Sequence, residues 1–154
     1  MKLIFLDVDG VLNSRESFHK AYVDGKARTL YHVDPDMVAR LNKITDTTGA
    51  KLVLSSVWRY SKWPTVRQVF RKAGMTGKFV GKTPRTIGND RRGTDIQRWL
   101  DENKKPIESF IIIDDDSDME HLMHRLVHTT NEKGLEDKHI EKAITLLTTG
   151  ETNA

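Results

Sequence analysis

The sequence predicts an α/β fold: a doubly wound, Rossmann-like parallel sheet with helices on both faces and at most a minimal cap. Short apolar runs alternate with helix-like periodic segments along the 154 residues, the pattern of parallel strands joined by helices. The hydrophobic fraction of 37% is enough to build one core. Polar residues follow the strongest runs, as expected where ligands gather at the carboxyl ends of strands. We expect a single domain over residues 1–150.

The first predicted unit is a strand, a helix and a second strand. The apolar runs Leu3–Leu6 and Leu52–Leu54 are the predicted strands. Between them, Asp34 is a good helix cap, Pro35 suits the first helical position, and Gly49 suits the residue after the helix. These local signals predict a helix that connects the two strands.

The rest of the chain continues the alternation. A helix is predicted from Trp63 to Gly74, and another is predicted to begin at Thr94, because Thr94 and Gln97 have the spacing of a capping box. The remaining predicted elements are a strong strand at Phe110–Ile113, weaker strands at Lys78–Val80 and Leu126–His128, and a last helix from Glu136 to Leu147.

Composition excludes several classes of protein. Without cysteine, the chain has neither disulfides nor thiolate zinc sites, which suits a reducing compartment. No stretch approaches the roughly 18 uninterrupted apolar residues that a membrane span needs. We therefore expect a soluble, cytoplasmic protein. Gly81-Lys82-Thr83 resembles the end of a P-loop, but Thr76 stands where that motif requires glycine, so we expect no kinase half.

Positive charge is concentrated in one segment. Residues Arg59 to Arg92 include ten basic side chains and one acid, a net charge of +9, so the rest of the chain sums to −6 in a protein of net charge +3. Such a segment suits an anionic partner, although a solvated basic face is the alternative. Trp58 and Trp63 lie in or beside it and could stack on bases, whereas Trp99 is predicted to be buried.

Polar residues end the three strongest strands. Asp7-Val8-Asp9-Gly10 follows the first, Ser55-Ser56 the second, and Asp114-Asp115-Asp116-Ser117-Asp118 the third. If these strands are neighbours, the carboxylates converge, and like charges so close together need a cation. Oxygen ligands of this kind suit a hard ion, Mg²⁺ best of all.

These motifs resemble the haloacid dehalogenase-like (HAD) phosphohydrolases. The first HAD motif, a strand followed by Asp-x-Asp-Gly, is similar to Asp7-Val8-Asp9-Gly10, and the fourth, a strand that ends in acids, is similar to Asp114-Asp115. Ser55 corresponds to the second motif, and Arg92 or Arg91 to the third. The stretches Ser55-Ser56-Val57-Trp58-Arg59 and Ile96-Gln97-Arg98-Trp99-Leu100 look like the small HAD domains of multifunctional RNA-repair proteins.

The chemistry of a phosphate monoester, together with this resemblance, suggests a role for each candidate. Asp7 is the expected nucleophile, which forms an aspartyl-phosphate, and Asp9 the expected acid and base. The phosphoryl group is expected to bind Ser55, Ser56, Arg59 and Arg91 or Arg92. The expected Mg²⁺ ligands are Asp7, Asp9 and Asp114, with Asp115 or Asp118 as a further acid; the resemblance implies that Asp9 contributes its backbone carbonyl.

The expected partner is a phosphorylated nucleic-acid end or a nucleotide. Only about twenty residues separate Gly10 from the Asp34 cap, which leaves little room for a large cap domain, so we expect an open site. An open site beside the basic segment favours the 3′-phosphate of a polynucleotide. The alternatives are a nucleotidase acting on free mononucleotides and a catalytically idle nucleic-acid-binding module.

Overall fold

A computed structural model describes residues 1–25 and 31–149, so the predicted domain boundary at residue 150 lies outside it. Within the described residues, the chain forms five strands: β1 (Lys2–Leu6), β2 (Lys51–Leu54), β3 (Phe79–Lys82), β4 (Ser109–Asp114) and β5 (Leu126–His128). They form one parallel sheet in the order β3-β2-β1-β4-β5. This is the predicted doubly wound α/β fold.

The helices lie between and after the strands. They are α1 (Arg15–Val23), α2 (Pro35–Thr48), α3 (Trp63–Lys72), α4 (Arg92–Glu102) and α5 (Asp137–Thr149), with short 3-10 helices at Val57–Tyr60 and Glu120–Arg125. The predicted caps of α2 are confirmed: Asp34 accepts a hydrogen bond from the Asp36 amide, and Gly49 adopts the left-handed conformation.

Both faces of the sheet are buried against helices. Alternate residues of β1 point to opposite faces: Ile4 and Leu6 belong to a core that includes residues of α2, α3 and α5. Leu3 and Phe5 belong to a second core with Ile96 of α4. Trp99 packs edge-on against Phe5, which confirms that it contributes to the core. The predicted arrangement of helices on both faces is therefore confirmed.

The prediction for the start of α4 is wrong. The helix begins at Arg92 rather than after Thr94, and its first amides are satisfied from elsewhere in the chain. Asp118 accepts hydrogen bonds from the Arg92 amide through its side chain and from the Gly93 amide through its carbonyl. A cap supplied from a distant loop leaves no local signal, and so the capping-box spacing at Thr94 was misleading.

Helix α1 was not predicted. A capping box exists at its start, between Ser14 and Ser17, but the helix buries only Ser17 and Ala21. Phe18 and Tyr22 are exposed, so the periodic apolar stripe on which helix prediction depends is missing. No helix among the described residues is both long and apolar enough to cross a membrane.

Candidate active site

The site lies where the order of the strands reverses, at the carboxyl ends of β1 and β4. These strands pair in parallel with Leu6 opposite Ile113, and the Asp7 amide donates to the Ile113 carbonyl at 3.1 Å. The register places Asp7 and Asp114 side by side. Both are buried, Asp114 completely. A parallel sheet of this topology binds its ligands at this reversal point.

Three carboxylates meet there. Asp7, Asp114 and Asp115 each offer an oxygen within 4.8 Å of the others, an arrangement that could hold a metal ion. Oδ2 of Asp114 is buried; Arg92 Nη1 lies 3.0 Å from it as an ion pair, but the oxygen accepts no well-aligned hydrogen bond from the described residues. A buried, crowded set of carboxylate oxygens fits a hard divalent cation, because such an ion removes both the repulsion and the cost of burial.

Burial and repulsion raise the pKa values of two of these carboxyls, Asp7 and Asp114, in the metal-free protein. Burial raises the pKa of Asp7 to about 6, although nearby Arg92 opposes the shift. Burial, and next the Asp7 carboxylate, raise the pKa of Asp114 to about 9, again against Arg92. The cluster therefore favours protons unless further positive charge is supplied.

Arg92 supplies part of that charge. Its Nη1 lies 2.9 Å from Asp7 Oδ1 and 3.0 Å from Asp114 Oδ2. Burial lowers the pKa of Arg92, but the Asp7 and Asp114 carboxylates outweigh it, and the pKa is raised overall. Arg91 instead points outward, with a side chain that is 66% exposed and pairs with Glu120 at 3.5 Å. Of the two arginines, the structure brings Arg92 to the site.

The loop after β4 positions Arg92. Asp118 binds the first two amides of α4 and so places the helix start beside the carboxylates. A side chain at Gly93 would overlap the Met119 backbone, so only glycine allows this close approach. Asp118 therefore caps the helix. The three carboxylates whose oxygens lie close together are those of Asp7, Asp114 and Asp115, without Asp118.

Ser55 and Ser56 follow β2 at the same edge of the sheet. The Ser55 amide donates to the Leu6 carbonyl at 3.0 Å, which sets Ser55 next to the start of the Asp7 loop. Ser55 Oγ is buried and has no hydrogen-bond partner among the described residues. A buried hydroxyl without a partner is costly, and a phosphoryl oxygen would satisfy it. Ser56 Oγ instead caps the next turn by accepting from the Trp58 amide.

Asp9, unlike Asp7, is exposed, and two side chains hold it. Asn13 Nδ2 donates to Asp9 Oδ1 at 2.9 Å, and Trp58 Nε1 donates to Asp9 Oδ2 at 3.3 Å. Asn13 is itself anchored, since it also donates to the His32 carbonyl and accepts from the Gly10 amide. An exposed carboxyl with a fixed orientation is suited to exchange protons with a bound molecule.

Comparison with known protein families agrees with this geometry. Residues 3–140 match the family described as the HAD domain in Swiss Army Knife RNA repair proteins. The chain belongs to this family. No curated protein and no solved structure matches it. Membership indicates a HAD-type phosphatase, and the predicted resemblance to the HAD phosphohydrolases is confirmed.

The turn of this HAD domain after Asp9 depends on Gly10. Its φ is +82°, and a Cβ atom there would overlap the Asp115 carboxyl. Thr129 Oγ1 also donates to the Gly10 carbonyl at 2.6 Å, which ties the turn to the end of β5. Glycine therefore allows the first and fourth motifs of the HAD domain to approach each other.

Arg59 is not brought to the carboxylates. Its side chain is 4% exposed and donates to the carbonyls of Ser55 and Ser56, and it also lies 3.5 Å from Asp95 Oδ2. In this HAD domain the Arg59 side chain hydrogen-bonds to the backbone of the loop after β2. Its contacts therefore do not support the expected role of a phosphate ligand. The Nη atoms donate to protein acceptors, whereas the buried Nε has no hydrogen-bond partner among the described residues, and burial lowers the pKa of the guanidinium without discharging it.

The sequence reasoning missed Asn13 and the contact of Trp58. Asn13 is close to the first motif, but nothing in its spacing shows where its amide points. Trp58 was considered only as a surface for stacking, whereas it is 5% exposed and stacks on Phe70 of the HAD core. A buried indole usually finds an acceptor for its N–H, which is the one signal that could have suggested a polar contact.

Proposed function

We propose that this HAD domain, over residues 1–150, is a Mg²⁺-dependent phosphomonoesterase that removes the 3′-terminal phosphate of a polynucleotide through an aspartyl-phosphate on Asp7. One observation carries the proposal: Arg92 bridges Asp7 and Asp114 at 2.9 and 3.0 Å, while Asn13 and Trp58 hold the exposed carboxyl of Asp9, two residues after Asp7. The family match over residues 3–140 supports the single domain. The absence of cysteine supports a cytoplasmic location.

Asp7 would attack phosphorus. Its carboxylate is oriented by Arg92 and by the Val8 amide, both of which favour the charged, nucleophilic form. Arg92 also offers fixed positive charge to the phosphoryl oxygens, and Ser55 Oγ is available as a donor to one of them.

Mg²⁺, held by Asp7, Asp114 and Asp115 and by the Asp9 carbonyl that the family resemblance implies, would neutralise charge on the phosphoryl group. Asp9 would donate a proton to the leaving oxygen and later accept one from the water that hydrolyses the aspartyl-phosphate. Asn13 and Trp58 keep its carboxyl oriented through both steps. Positioned acid and base catalysis of this kind contributes about 10²- to 10⁴-fold.

Surface charge and the small cap support a polynucleotide substrate. Of the ten basic residues from Arg59 to Arg92, only Arg59 is buried and only Arg92 is partly buried. The other eight are exposed and available to a phosphate backbone. The family description, a domain of RNA repair proteins, points to the same class of substrate.

A phosphate-release panel tests the proposal. It contains oligonucleotides with a 3′- or 5′-phosphate, free mononucleotides and sugar phosphates, each with Mg²⁺ or with a chelator. We expect the 3′-phosphorylated oligonucleotide to be the best substrate and the chelator to stop release. A preference for mononucleotides at physiological salt would favour the nucleotidase, and binding without release from any substrate would favour the idle module.

A further inference from the structure

A groove runs from the active site along α3 and β3. It consists of two adjoining hollows of about 230 and 410 Å³, which share Trp63 and Phe79. The smaller hollow begins at Trp58, whose indole N–H contacts Asp9. One side chain, that of Trp58, therefore lies between the groove and Asp9, the expected acid for the leaving group. The larger hollow continues it past Phe70.

Aromatic rings form a rigid floor in this groove. Phe70 stacks on both Trp58 and Phe79, at ring separations of 5.8 and 5.4 Å. Trp63 packs edge-on against Phe79 at 5.1 Å and is 38% exposed. Its position between the hollows, with one edge held by Phe79, leaves ring surface for a planar ligand. Bases stack on such surfaces regardless of sequence.

The groove is also positively charged. Its lining includes Arg67, Arg71, Lys78 and Lys82, and no carboxylate. All four cations are exposed, and none forms an ion pair with another residue in the described part of the chain. A further hollow beside the site is lined by Asp90, Asp95 and Asp118 together with Arg59 and Arg92, so its carboxylates outnumber its cations. A polyanion that leaves the site would therefore follow the first groove.

We propose that this groove binds the terminal nucleotides of an unpaired nucleic-acid strand, with one base stacked on Trp63 and backbone phosphates against the four cations. This rests on the proposed function, since it assigns the path of the substrate that enters that site. Aromatic surface combined with cations is the recurring design of single-strand binding sites. The bases of a duplex are already stacked and cannot use Trp63.

Binding measurements test the groove separately from catalysis. The protein carries Asp7→Asn to prevent turnover, and a fluorescent, unphosphorylated single-stranded oligonucleotide is titrated alongside the same sequence as a duplex. Trp63→Ala should weaken single-strand binding by roughly 5- to 100-fold. Trp63→Phe, which keeps an aromatic face, should restore most of it. Duplex binding should be weaker and should not respond to Trp63.

Charge variants complete the test. Arg67→Gln with Arg71→Gln should weaken strand binding and reduce its salt dependence. The matched control is Lys104→Gln with Lys105→Gln, two exposed lysines before β4, which is separated from β3 by β2 and β1 in the sheet, and it should bind as tightly as the parent. Equal binding of single strand and duplex, or binding unaffected by Trp63→Ala and by the arginine pair, would overturn the proposal.

Failure of the groove differs from failure of the proposed function. If the enzyme with Asp7 intact releases phosphate from oligonucleotides and Trp63→Ala does so with the same kcat/KM, the groove is wrong and the phosphatase assignment stands. If it releases phosphate from no oligonucleotide, the proposed substrate is wrong, and the binding titrations alone decide whether the groove holds a strand.

Discussion

The indole Nε1 of Trp58 lies 3.3 Å from Oδ2 of Asp9 and donates a hydrogen bond to it. The contact joins Asp9, the exposed one of the two aspartates directly after β1, to a side chain of the hydrophobic core. With Asn13 on the other oxygen, it fixes the orientation of the Asp9 carboxyl. Since Asp9 is the proposed acid and base, this contact makes a direct prediction.

Trp58→Phe should lower kcat about tenfold for a substrate with a poor leaving group, the loss expected for one hydrogen bond to a charged group. The ring partly preserves the packing on Phe70, so the fold should persist. The loss should shrink with a good leaving group, which needs less protonation, and Asp9→Asn should show the same trend more strongly. Kinetics across a series of leaving groups check this; an equal loss for every leaving group would remove Trp58 from that role.

Asp7→Asn should abolish turnover, because an amide does not attack phosphorus. The fold should survive: burial raises the pKa of Asp7 to about 6, so in chelator at neutral pH the mostly charged carboxylate is less stable in the folded protein than in the unfolded chain. The variant should therefore melt no lower than the parent protein under those conditions. Phosphate release and thermal unfolding are the measurements. Substantial turnover would exclude Asp7 as the nucleophile.

Chelation should make stability depend on pH. The folded-state pKa values of Asp7 and Asp114 are raised from 3.8 to about 6 and about 9. The folded protein therefore holds more protons than the unfolded chain in this range, and its stability should fall as the pH rises from about 4 to about 9. Mg²⁺ needs the deprotonated carboxyls, so its stabilising effect should grow over the same range.

Thermal unfolding with chelator and with Mg²⁺, at several pH values, checks this linkage. Asp114→Asn should flatten the pH dependence in chelator and reduce the gain from Mg²⁺. A melting temperature that Mg²⁺ does not change at any pH, together with full activity in chelator, would contradict the metal site.

Arg59→Ala should reduce stability by about 3 kcal/mol, because it leaves Asp95 without one of its buried partners. It should also free the Ser55 and Ser56 carbonyls, so kcat should fall along with stability.

The matched control is Arg91→Ala, which replaces an exposed arginine in the same segment. It should change stability by less than about 0.5 kcal/mol. Urea unfolding measures both. A higher KM with unchanged stability in Arg59→Ala would restore the sequence interpretation of Arg59 as a phosphate ligand.

Substituting Lys62, Arg67 and Arg71 together with glutamine should weaken processing of a 3′-phosphorylated oligonucleotide far more than hydrolysis of a small phosphate ester. Each lost backbone contact should reduce the slope of log affinity against log salt by about 0.7. Phosphate release measured over a salt series checks this. Equal losses for both substrates would favour a nucleotidase, whose substrate does not extend beyond the site.

The fold prediction rested on patterns among residues that are close together in the sequence. The order of strands and helices, the caps of α2 and the acidic ends of β1 and β4 were all predicted from neighbouring residues. Where the signal was local but weak, as at Lys78–Val80 against the observed β3 at Phe79–Lys82, the prediction was displaced by one or two residues. Helix α1 was missed because its apolar residues face solvent.

The sequence by itself determined the fold class and the residue types at the reaction centre, because strand patterning and the Asp-x-Asp-Gly turn are encoded within a few consecutive residues. Only the tertiary structure decided which member of each pair reaches the site: Arg92 rather than Arg91, and Asp115 rather than Asp118 in the carboxylate trio. It also turned Arg59 inward. The physical reason is that adjacent residues on a helix start or loop point in different directions, and that direction is set by distant partners such as Asp118 and Asp95, which sequence spacing does not reveal.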